Sequence, residues 1–60
     1  MSIDILSLEK VYDNLSFAID KLPEEKRSLF LTKLVLLLSN EIKDAELICR
    51  LINEALVFEA

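Results

Sequence analysis

The side chains in this sequence that could do chemistry are few and scattered. Cys49 is the one thiol, and Lys33 is a lone amine inside an apolar run. Glu24 and Glu25 are adjacent carboxylates, and Glu41, Asp44 and Glu46 lie close together. A cysteine nucleophile reacts as the thiolate and needs a cation or a helix N-terminus beside it. Cys49 falls mid-helix beside Ile48 and Leu51, so it reads as a small buried hydrophobe. A Cys49–Cys49 bridge between two chains is the other use open to it. Glu24 and Glu25 sit where a helix begins and favour the positive end of its dipole. Glu41, Asp44 and Glu46 could hold a hard cation weakly, but the calcium-loop spacing and its glycine are absent. Capping and solvation explain them better.

The missing residue types exclude more. The chain has no His, so a Ser-His-Asp triad lacks its base. With one Cys and no His it also lacks a zinc ligand set. It has no Gly, which rules out phosphate loops and dinucleotide fingerprints, where the backbone must approach the phosphate closely. The serines stand in no recognisable motif. The expectation is a protein without catalytic residues, metal ligands or a cofactor.

Composition narrows the class. Sixty residues form one domain at most, here taken as 1–60. A chain this short buries only about 60% of its unfolded surface, and small domains usually add a disulfide, a metal or a partner chain. The first two are not offered, so association remains. Hydrophobic residues make up 53% of the chain, which suits that reading. The net charge of −4 is spread evenly: four basic and six acidic side chains in residues 1–30, three and five in 31–60. No basic patch attracts phosphates, so nucleic acid is not an expected partner. A helix-turn-helix reading of residues 24–58 fails on the same ground, because Asp44-Ala45-Glu46 would repel DNA at the recognition end. The N-terminal MSIDILSLEK has no basic n-region or cleavage site. The run Leu29–Leu38 is about half a membrane span, and Lys33 interrupts it. A cytoplasmic protein with no membrane partner is expected.

Hydrophobic periodicity supplies the scaffold, with helices over about 8–21, 23–40 and 45–57. Ser7 is the expected cap of the first; Met1–Leu6 reads as a short arm or an early turn. Leu8, Val11, Tyr12, Leu15, Ala18, Ile19 and Leu22 then fall within a stripe about 120° wide. Phe17 lies almost opposite that stripe and marks a possible second contact surface. Pro23 is preset for the first position of the second helix, and Asn40 suits the left-handed residue that ends it. With Leu29 at zero on a helical wheel, Leu37, Phe30, Leu34, Leu38, Leu31, Ile42 and Val35 span about 80° to 240°. Leu29 and Leu36 form a separate narrow stripe flanked by Lys26, Lys33 and Asn40 on one side and by Glu25, Ser28, Thr32 and Ser39 on the other. One neighbouring helix cannot cover both regions. Asp44 caps the third helix, where Leu47, Ile48, Leu51, Ile52, Ala55 and Leu56 face inward. Leu56 lies at one margin of that face, and Glu46, Arg50 and Glu54 share the opposite one.

The central stretch also resembles a short bacterial helical domain family of uncharacterised function. Its pattern runs as a basic residue, Leu-Val-Leu-Leu-Leu, one position, Asn, one position, Ile, one position, Asp. Lys33, Leu34 to Leu38, Asn40, Ile42 and Asp44 match it, and Tyr12, Leu15, Leu22, Glu25 and Ser28 look similar to the upstream part. The likeness covers most of residues 8–56. That pattern often has His and Gly where this chain has Glu41 and Lys43. The resemblance implies an accessory role beside flavin-dependent aromatic hydroxylases and carries over no catalytic residue.

Together these readings predict an all-α fold: a small three-helix bundle completed by homodimerisation. The expected interface comprises Leu29, Leu36, Phe30, Leu34, Leu37, Leu38, Phe17 and Leu56. The expected function is a non-enzymatic protein–protein interaction and self-association module. The alternatives are an accessory subunit docking on a larger enzyme, and a small inhibitor or regulator that binds one partner.

Overall fold

The computed structural model describes residues 3–59. Three helices follow one another: α1 over Ile5–Asp20, α2 over Glu24–Ile42 and α3 over Ala45–Glu59. The described chain is all-α, a small bundle of three helices, as the periodicity predicts.

The helix ends differ from expectation for local reasons. Asp4, not Ser7, caps α1. Its extended backbone places the carboxylate to accept the Ser7 N–H at 2.8 Å and the Ser7 hydroxyl at 3.2 Å. Ser7 is therefore the residue being capped, and the helix starts at Ile5 rather than near Leu8. Those two bonds, the backbone one foremost, stabilise the charged carboxylate and hold Asp4 below its ordinary value of 3.8. Of the N-terminal arm, Met1 and Ser2 lie outside the described residues; Ile5 and Leu6 are helical.

The last turn of α1 tightens, with the Leu22 N–H donating to the Ile19 carbonyl at 3.1 Å. Pro23 stands just before α2 rather than at its first position. It is extended (φ −61, ψ 150), and its carbonyl accepts the Lys26 N–H at 2.9 Å. Glu24 and Glu25 occupy the first turn, as expected. Arg27 closes this corner from inside the helix, its Nε donating to the Leu22 carbonyl at 3.2 Å.

α2 runs two residues beyond Asn40, through Ile42. The left-handed residue that stops it is Lys43, at φ 61 and ψ 33, whose N–H donates to the Ser39 carbonyl at 2.8 Å. A side chain with a Cβ is strained there by about 1 kcal/mol or more. Gly is the residue that adopts this geometry freely. Asp44 then caps α3, accepting the Leu47 N–H at 3.1 Å. Two residues thus make the whole connection, and α3 continues through Val57 and Phe58 as exposed helix.

The bundle is open. No described residue is buried. No two Cα atoms twelve or more positions apart come within 8 Å of each other among the described residues. The radius of gyration is 12.8 Å, against about 10 Å for a compact chain of this length. The chain exposes 5776 Å², where a folded monomer of 6.9 kDa exposes about 4,000 Å². Helices of these lengths cannot be covered by corner contacts alone.

Candidate protein-interaction surface

The apolar surface divides into two corners, two arms and an outer stripe. At the first corner Leu15, Ala18 and Ile19 from α1, Leu22 from the connection, and Phe30 and Leu34 from α2 are half-buried. At the second, Ser39 from α2 and Leu47 and Ile48 from α3 are half-buried. On the wheel of α2, Phe30 and Leu34 lie at about 100° to 140°, and Ile42 and Val35 at about 220° to 240°. So α1 and α3 meet α2 on two different flanks, and Leu31 and Leu38 lie between them.

Away from the corners both arms are bare. Along α1, coverage fades from Leu15 to Val11 and Leu8, both more than half exposed. Along α3 it fades from Ile48 through Ile52 to Leu56, which is 66% exposed. Between α2 and α3 a groove remains, with Val35, Leu38 and Ile42 on one wall and Ile48, Leu51, Ile52 and Ala55 on the other. Every lining side chain is apolar. Charges lie elsewhere: Glu46, Arg50 and Glu54 on the exposed back of α3, Lys10 and Asp13 on the exposed back of α1.

The residues expected at an interface are distributed over all of these regions. Phe30 and Leu34 belong to the first corner, where they are half-buried within the one chain. Leu38 is in the α2–α3 groove and Leu56 lies beyond its end. Leu29 shares a shallow depression with Leu22, Lys26, Phe30 and Lys33 on the outer side of the first corner. Leu36 stays exposed, and so does Leu37, which was expected on the face covered by neighbouring helices. Phe17 is exposed on the far side of α1, with the Lys21 ammonium 4.3 Å from its ring centroid. This cation–π contact gives the ring a partner at the end of its own helix, the residue that caps α1.

Leu8, Val11, Leu51 and Ile52 were read as internal, yet they are uncovered. Their spacing signalled an apolar face correctly. What spacing could not convey is that three helices joined by such short corners splay apart. Cys49 is corrected in the same way. It was expected to be buried and is exposed, at the edge of a depression shared with Ser39, Lys43, Asp44 and Ala45. The reason is its place on the wheel: Cys49 stands about 100° round α3 from Ile48, off the flank that carries the half-buried side chains.

Polar groups near the apolar regions are already satisfied. The Ser39 hydroxyl donates to the Val35 carbonyl at 2.7 Å, and Thr32 donates to the Ser28 carbonyl at 3.0 Å. Covering either would therefore strand no hydrogen-bonding group, the usual cost of burying one. Among the described residues no group of three His, Cys, Asp or Glu side chains could hold a metal ion, and no helix is long and apolar enough to cross a membrane.

No family model, no curated protein and no solved structure matches the chain.

Proposed function

We propose that this protein is a self-association module whose core is completed by a second copy, with no catalytic role of its own. One observation carries the reading. The chain exposes roughly 1,800 Å² more than a folded monomer of its mass would. Obligate dimers bury about 1,000–2,500 Å² on each chain, so the excess is of the size one partner copy removes. An apolar patch of a few hundred Å² is already large for a protein that stays alone. The even, mildly acidic charge gives such a surface no attraction to nucleic acid or anionic lipid.

A concentration series tests this. If folding and association are one event, the melting temperature rises with protein concentration. A melt that is cooperative and independent of concentration from about 1 to 100 μM would contradict the reading.

A second reading rests on the depression around Leu29. It is lined by the apolar Leu22, Leu29 and Phe30 together with Lys26 and Lys33, and it shares no residue with the α2–α3 groove. A larger protein could dock there through an apolar side chain flanked by carboxylates, which is the form an accessory subunit or an inhibitor would take. Capture of a host enzyme by the wild type, lost in Lys26→Glu/Lys33→Glu, is the result expected of this reading.

A further inference from the structure

We infer that the α2–α3 groove is the seat for α1 of a second copy, given and received reciprocally across a two-fold axis. This deepens the self-association reading and rests on it, because it names which surfaces meet.

The groove asks for a helix with an uncharged apolar stripe. Within one chain α1 is spent at the first corner only through its last turns, and it stays more than 8 Å, Cα to Cα, from α3 along its whole described length. Its outer half, carrying Leu8 and Val11, is left bare. The two apolar stripes are alike in length. Leu8 to Leu15 and Ile48 to Ala55 are eight residues each, about 10 Å of helix, and in each only the end nearest its own corner, Leu15 or Ile48, is half-buried. They also match in chemistry. Lys10 and Asp13 stand on the back of α1, and Glu46, Arg50 and Glu54 on the back of α3, so seating one stripe on the other buries no charge. Because both surfaces occur in every copy, a two-fold axis satisfies both at once and closes the assembly at two chains.

The exchange puts the excess surface to use on both sides of the molecule. Each chain contributes an arm and a groove, and the central α2 helices come to lie in one shared core. The Leu29/Leu36 stripe stays outside that core, available to another protein. The second copy is favoured over an unrelated helix because its α1 is the stripe on the page that fits, in length and in lack of charge.

Two single-cysteine proteins test the seat, each in a Cys49→Ser background. One carries Val11→Cys and the other Ile52→Cys. They are mixed, unfolded, refolded together and oxidised. A disulfide joining Cys at 11 to Cys at 52 can then form only between chains. The expected result is a covalent heterodimer at least tenfold more abundant in the mixture than homodimer in either protein alone. Abundant Ile52→Cys homodimer would overturn the inference in favour of α3 packing on its own copy. A Leu36→Cys homodimer, with no 11–52 product, would overturn it in favour of the outer stripe. Native mass spectrometry of the unoxidised samples separates the two levels. A dimer without the 11–52 product sinks the proposed seat and spares self-association; a monomer sinks both.

Discussion

The two corners of this molecule are built differently, and the contrast locates the surface that needs a partner. At the first, between α1 and α2, several large side chains are half-buried: Leu15, Ile19, Leu22, Phe30 and Leu34. The Arg27 guanidinium also binds the Leu22 carbonyl across it. The second, between α2 and α3, is made mostly by backbone devices. Lys43 turns the chain in the left-handed region and Asp44 caps the next helix, with Leu47 and Ile48 alone half-buried on α3. A corner held by side chains covers its own apolar surface. A corner held by a turn and a cap fixes direction and leaves the surface open, which is why the groove lies at the second one.

The largest expected effect comes from placing a charge on the floor of that groove. Leu38→Glu would set an unpaired carboxylate among Val35, Ile42, Leu51 and Ile52 once the partner helix is seated. The expected outcome is loss of the folded dimer at micromolar concentration, a cost of at least about 3 kcal/mol, read by circular dichroism and sedimentation. Leu36→Glu, on the outer stripe, is expected to leave assembly intact. Equal disruption by both would erase the distinction between groove and stripe.

Phe30→Ala probes the first corner. Removing a ring that is already half-buried is expected to cost about 2–4 kcal/mol, with the melting temperature falling at every concentration. No change in melting temperature would mean that Phe30 contributes nothing to the first corner.

Lys43→Gly sharpens the comparison from the other side. Glycine accepts φ 61 without a Cβ clash, so stability should rise by about 1 kcal/mol with the secondary structure unchanged. A loss of stability would mean that the Lys43 side chain, and not its backbone, holds the second corner.

The smallest effect concerns the start of the exposed arm. The Asp4 carboxyl is lowered by its bonds to Ser7. Its contribution is therefore fully present above the ordinary value of 3.8 and is lost as pH falls through the lowered native one. Amide exchange in the first turn of α1 should quicken over that acid range relative to the intrinsic rate. In Asp4→Ala the first turn should be as poorly protected near neutral pH, with no such acid step.

Much of the architecture is legible in the residues themselves, and the misses share a cause. Three helices, the two glutamates in the first turn of α2 and the aspartate cap of α3 follow from local chemistry, and all are present; Pro23 lies one position earlier than expected, just before α2. Helix ends went astray where two local signals competed. Asp4 outranks Ser7 because its carboxylate takes both the N–H and the hydroxyl of Ser7. Lys43 displaces Asn40 as the left-handed residue because Asp44 must begin a new helix immediately after it. The other misses, Cys49 and Leu37 exposed and Leu8, Val11, Leu51 and Ile52 uncovered, are failures of a different kind. Periodicity reports that a face is apolar. It is silent about which chain covers that face, since the angle between helices is decided at the corners. The Leu29/Leu36 stripe drew attention as the surplus apolar surface on α2, whereas most of the surplus lies along α1 and α3.

Mass in solution tests the central claim most directly. Sedimentation equilibrium of the wild-type chain at about 10 μM should return twice 6.9 kDa. A folded, cooperative species of 6.9 kDa at that concentration would contradict a core completed by a second copy.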